Sequence, residues 1–209
     1  LALTNALLAA GAERNSLGAD AVPLLLLATE TSAPVALALV HAGADLNQAD
    51  AVGRTALEVA VARGDLELCE LLLTKGARLT NRKDPAGNTS LHVAVGNRAE
   101  ELVRLLVRHK ADLSEQNRRG QTPLILGAET GQEAVVELLL QSGAALHLCD
   151  ASNRSALELA LQNGHLAVLR ILLQQSMVDV NGMSKRGSSL LHLAAELGDE
   201  ARVAFLLEM

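Results

Sequence analysis

A period of 33 or 34 residues runs through this chain and constrains its fold more than any other feature. Segments 53–65 (GRTALEVAVARGD), 87–99 (GNTSLHVAVGNRA), 120–132 (GQTPLILGAETGQ), 153–165 (NRSALELALQNGH) and 187–199 (GSSLLHLAAELGD) align on Leu57, Leu91, Leu124, Leu157 and Leu191. An earlier copy adds Leu24, and the successive spacings are 33, 34, 33, 33 and 34 residues. A fixed period of this length marks a stacked array, because each copy is one supersecondary unit whose apolar face only a neighbour can cover. Such arrays offer an extended surface to other macromolecules, so a binding role is expected before a catalytic one.

Each copy reads as a pair of short helices. Thr55, Thr89, Thr122, Ser155 and Ser189 stand just before an apolar helical pattern, where a hydroxyl can cap the first free amides. Pro123 suits the first helical position. Leu57, Ala60 and Val61 keep helical spacing, and Gly64, Gly131, Gly164 and Gly198 then permit a turn. A second helix follows, as over 66–73, and ends near Gly76.

These residues resemble the ankyrin repeat. Gly120-Gln121-Thr122-Pro123-Leu124 match its opening turn, and Val135, Val136, Leu138, Leu139 and Leu140 match its second apolar run. Gly143-Ala144, Gly76-Ala77 and Gly43-Ala44-Asp45-Leu46-Asn47 match its exit. The resemblance spans 1–209 as a single array: a partial repeat at 1–16, repeats at 17–49, 50–83, 84–116, 117–149 and 150–183, and a partial repeat at 184–209. It implies an all-α solenoid of stacked helix-turn-helix units with short β-hairpin finger loops, and a non-catalytic protein–protein interaction scaffold. The last two units are also similar to the rabankyrin family at Val178-Asp179, Arg186-Gly187 and Leu191-His192. That likeness implies an endosomal protein that couples its repeats to a lipid-binding zinc domain.

Two places depart from the period. The stretch 81–85 carries one extra residue before Gly87, and 176–180 replaces the Gly-Ala exit and also adds one. Both ends read as cut, so further repeats are expected on at least one side of the parent protein.

Composition narrows the function. No apolar run approaches the roughly 18 residues of a membrane span. Cys69 falls at an apolar helical position and Cys149 on a turn, which is not the pattern of a disulfide scaffold. These features point to an intracellular chain, cytoplasmic with the nucleus as the other compartment. No HExxH, CxxC pair or phosphate-binding loop is present, so no catalytic residue, metal site or cofactor is assigned. His92 and His192 sit where the ankyrin pattern itself carries a histidine, and are expected to serve structure.

Charge is the one pattern that points to a partner. The chain is acidic, with 24 Asp plus Glu against 18 Lys plus Arg, yet the loops between repeats gather cations. They are Arg54, then Arg82 and Lys83, Arg118 and Arg119, Arg154, and last Lys185 and Arg186. Acids such as Glu67, Glu70, Glu133 and Glu137 fall on second helices. A basic finger row would orient an acidic or phosphorylated segment of another protein. The neighbouring groove contributes Arg63, Asn97, Glu129, Thr130, Gln162 and Asn163. Net negative charge and the absence of Trp and Tyr argue against nucleic acid. The array is expected to be monomeric. The competing readings are a structural spacer, and a substrate-recruiting module for a catalytic domain outside 1–209.

Overall fold

The computed structural model describes residues 10–18, 22–176 and 188–208. Every regular element among them is a helix; the only β pairing is three isolated antiparallel bridges, Leu17 with Pro23, Ala49 with Thr55 and Cys149 with Ser155. The expected hairpin fingers are therefore loops closed by single bridges and turns, not strand ladders.

Residue contacts divide the chain into two compact units, Leu1–Thr80 and Asn81–Met209. The first contains α1 (Leu24–Thr31), α2 (Ala33–His41), α3 (Ala56–Arg63) and α4 (Leu66–Thr74). The second contains α5 (Ser90–Gly96), α6 (Glu100–Arg108), α7 (Pro123–Glu129), α8 (Glu133–Gln141), α9 (Ala156–Gln162), α10 (Leu166–Ser176), α11 (Leu190–Leu197) and α12 (Glu200–Glu208). The boundary falls in the connection that carries the extra residue. Six positions separate Ala44 from Asp50, Ala111 from Asn117 and Ala144 from Asp150, but seven separate Ala77 from Asp84. The insertion thus lies before Asp84. The second departure, at 176–180, lies almost wholly outside the described residues.

Packing repeats within each unit. In the first, α1 packs on α3 and α2 on α4. In the second, α5, α7, α9 and α11 pack in succession, as do α6, α8 and α10. The aligned leucines Leu57, Leu91, Leu124 and Leu157 all sit in this interior, together with Leu68, Leu72, Leu106 and Leu139. Burying each such side chain contributes about 1.5–3 kcal/mol, which is what holds helices too short to persist alone. Cys69 is fully buried in α4, and burial pushes its thiol up to about 12, so it behaves as a small apolar side chain. Near the end of the second unit, the Arg170 guanidinium lies 5.2 Å from the Phe205 ring centroid and joins α10 to α12.

The helix starts follow from local chemistry. Ser155 Oγ accepts from the Glu158 N–H at 3.2 Å, while the Glu158 carboxylate accepts from the Ser155 N–H at 2.7 Å. Thr55 and Glu58 make the second half of that pair at 2.7 Å. In α5 a histidine takes the place of glutamate. His92 Nδ1 accepts from the Thr89 N–H at 3.3 Å, which puts the ring proton on Nε2, and Nε2–H donates to the Gln121 carbonyl at 2.8 Å. Burial holds His92 below the usual histidine range. His192 Nδ1 lies 2.7 Å from Ser189 Oγ. Both histidines serve structure, as expected from their positions.

Candidate functional site

The fingers are built on one device used four times. Asp50, Asp84, Asn117 and Asp150 each open a loop. One side-chain oxygen accepts the N–H two residues on and the N–H four residues on, at 2.8–3.0 Å. The third residue after the opener has positive φ: Gly53, Gly87, Gly120 and Asn153. At Gly87 and Gly120 a side chain is also excluded by space. A Cβ there would lie 2.6 Å from the Arg118 amide nitrogen and 2.4 Å from that of Ala151. These close approaches exist because successive fingers of the second unit bond to each other: Arg118 N–H donates to the Ala86 carbonyl at 3.1 Å, and Ala151 N–H to that of Arg119 at 2.9 Å.

Two of the finger cations close on this device, and others pair with acids elsewhere. Arg54 pairs with Asp50 at 2.7 Å and Glu30 at 3.1 Å. Arg154 closes on Asp150 through Nε at 2.9 Å and Nη2 at 2.7 Å. Burial alone would push the Asp50 and Asp150 carboxyls up. The N–H groups and guanidinium of the paired arginine outweigh that and hold both below the ordinary carboxylate range. Lys83 pairs with Glu115 at 2.8 Å and donates to the Gln116 carbonyl at 2.9 Å. Arg82 is half-buried in the same connection. Arg119 is 62% exposed and pairs with Glu129 at 2.8 Å. Arg118 is exposed and makes no side-chain hydrogen bond or ion pair among the described residues. Lys185 and Arg186 lie outside those residues, as does the Val178-Asp179 exit.

The fingers carry acids as well as the cations from which a basic row was expected. Asp50, Asp84, Asp112, Glu115 and Asp150 share the same loops, so the fingers alternate in sign rather than forming a uniformly basic row. The overlooked signal was legible: Asp-x-x-x-Arg occurs at 50–54 and again at 150–154, in register with the repeat.

Of the groove residues Arg63 ties neighbouring repeats together through its side chain, as do Arg98 and His165 nearby in the sequence. Arg63 Nη1 donates to the Glu30 carbonyl at 2.9 Å, and Arg98 Nη2 to that of Thr130 at 2.7 Å. His165 Nε2 lies 3.1 Å from the Glu129 carbonyl. Thr130 Oγ1 and Asn163 Nδ2 bond back to carbonyls of their own helices, at 2.7 and 2.9 Å. Asn97 is exposed at the end of α5, and Gln162 is half-buried with no side-chain hydrogen bond among the described residues. Gln121 was not anticipated as part of any site. It is fully buried, and its Nε2 donates to Glu129 Oε2 at 2.7 Å. Among the described residues no group of three or more His, Cys, Asp or Glu side chains is placed to hold a metal ion, and no helix is long and apolar enough to cross a membrane.

Paired short helices, positive-φ finger turns and repeat-to-repeat hydrogen bonds define an all-α helical repeat protein. Family models describing ankyrin repeats in three copies match residues 78–150 and 140–209, and a single ankyrin repeat model matches 52–85. The crystal structure of the ankyrin repeat domain of Bcl-3, a member of the IκB protein family, is similar with a TM-score of 0.78 and 30% identity, covering 100% of this chain and 91% of that one. No curated protein matches significantly. The chain belongs to the ankyrin repeat family. Members of that family are generally protein–protein interaction modules and typically lack catalysis.

Proposed function

We propose that this chain is a non-catalytic recognition scaffold that holds an acidic or phosphorylated segment of another protein, and that Arg118 makes the first contact. The observation that carries this reading is the contrast among finger cations. Arg54, Lys83, Arg119 and Arg154 are each committed to a carboxylate of the chain itself, whereas Arg118, exposed on a hydrogen-bonded finger edge, has none among the described residues. A guanidinium fixed at its backbone and open at its tip suits two-point recognition of a carboxylate or phosphate. The chain has no Trp or Tyr to serve as an aromatic anchor, so electrostatic steering carries much of the selectivity. We place this role in the cytoplasm, with the nucleus as the other compartment.

The test is a pull-down from cell extract with wild-type and Arg118→Glu chains side by side, read by mass spectrometry. Acidic or phosphorylated partners held by the wild type and lost from the variant are expected. Identical partner sets would remove the basis of the reading and favour a structural spacer.

A further inference from the structure

We propose that Glu129 is a built-in occupant of the carboxylate site at the 117–121 finger, so that an acidic partner has to displace it and the displacement sets how acidic that partner must be. The inference rests on the acidic-partner reading above. Glu129 ends α7 and reaches the finger with both oxygens: Oε1 accepts from Arg119 Nη2 at 2.8 Å and Oε2 from Gln121 Nε2 at 2.7 Å. Its two donors differ in kind. Gln121 is fully buried and held in place, because its backbone N–H donates to Asn117 and its carbonyl accepts from His92. Arg119 is largely exposed and engaged through Nη2 alone, so its other donors face solvent. Arg118 stands next to it in sequence, without a side-chain hydrogen bond or ion pair among the described residues.

An incoming aspartate or glutamate therefore meets two guanidinium groups and one carboxylate already in place. Two carboxylates cannot share Arg119 and Gln121 without repulsion, so binding requires Glu129 to yield part of its contact. Among the described residues the arrangement belongs to this finger. The equivalent positions at the ends of the other first helices are Thr29, Ala62, Gly96, Gln162 and Glu196, and of these only Glu196 is acidic. In the 150–154 loop Arg154 closes on the loop's own aspartate instead, and in the 50–54 loop Arg54 is shared between its own Asp50 and Glu30, one residue from the end of α1.

The test is fluorescence anisotropy with a labelled ten-residue oligoglutamate peptide at low salt. Wild type, Arg118→Glu, Glu129→Ala, Glu129→Gln and the double variant Arg118→Glu with Glu129→Ala are compared. Glu129→Ala is expected to bind roughly fivefold more tightly than wild type, as fits release of one exposed ion pair. Glu129→Gln is expected to gain less, since an amide can keep the contact to Gln121. The double variant is expected to lose the gain. If the wild type binds and Arg118→Glu weakens it, but neither Glu129 variant tightens it, internal competition is wrong while the acidic-partner reading stands. If no variant binds the peptide, both readings fall. If a ten-nucleotide DNA strand shows the same gain at lower concentration, the assignment to a protein partner is overturned. Should circular dichroism show Glu129→Ala unfolded, Glu129→Gln decides the question alone.

Discussion

The loop at 150–154 and the loop at 117–121 share a backbone and differ in what their arginines do. Both open on a side-chain oxygen that gathers two backbone N–H groups, and both turn through a positive-φ residue. In the first, the opener is Asp150, and its free oxygen draws Arg154 down into a half-buried pair. In the second, the opener is Asn117, which carries no charge to hold an arginine. Gln121 takes the closing position, and the two arginines of the loop are left at its tip. Two differences, an amide for the carboxylate at the first position and Gln121 in place of the closing arginine, separate an arginine that closes its own loop from a loop whose arginines stand at the tip. There Arg119 is paired with Glu129, and Arg118 is without a side-chain hydrogen bond or ion pair among the described residues.

That contrast can be broken at several strengths. The largest effect is expected from the shared backbone. Gly120→Ala sets a Cβ against the Ala151 amide at positive φ and should cost roughly 3 kcal/mol. Gly143→Ala, also at positive φ but in open space, should cost roughly 1 kcal/mol. Thermal unfolding of the two variants checks the order. Next comes the closing pair. Asp150→Ala leaves Arg154 and two finger amides without their acceptor and should cost about 2 kcal/mol by urea titration. Arg119→Ala, which removes one exposed pair, should cost less than about 0.5 kcal/mol.

A smaller effect separates the two loops by pH. Asp150 is held below its unfolded value, so its pair contributes stability above the ordinary carboxylate range and loses it as pH falls through the lowered folded value. Asp150→Asn should flatten that acid limb, whereas Asn117→Ser should leave its slope unchanged. His92 acts earlier. Its folded value is below 6.5, so the unfolded chain takes up the proton first and stability falls as pH drops past about 6.5. Unfolding midpoints measured from pH 8 down to about pH 2 should show both steps, and His92→Gln should remove the upper one.

Much of this was legible in the sequence. Four of the aligned leucines, Leu57, Leu91, Leu124 and Leu157, mark the interior, while Leu24 and Leu191 are half-buried, and the Thr and Ser before the helices mark their starts. Gly64, Gly131, Gly164 and Gly198 all turn with positive φ, as their places after the first helices imply. These features are local, and the repeat states them several times over. Partner choice by the finger cations is not local. Glu30 reaches Arg54 from the preceding repeat, Glu115 reaches Lys83 from the following one, and Glu129 reaches Arg119 from the far end of its helix. Only the pairs four residues apart, Asp50 with Arg54 and Asp150 with Arg154, lay within reach of a sequence argument. Gln121 escaped notice because a buried amide leaves no mark in composition or period.

The most direct measurement places Arg118→Glu beside Arg154→Glu in one experiment, with thermal unfolding and capture of an acidic partner read from the same samples. Arg118→Glu should melt within about 1 °C of wild type and lose the partner, since an exposed side chain without an internal contact contributes little to stability. Arg154→Glu should melt several degrees lower and, below its transition, keep the partner. Partner binding that survives Arg118→Glu but fails in folded Arg154→Glu would contradict the division of labour between the two loops.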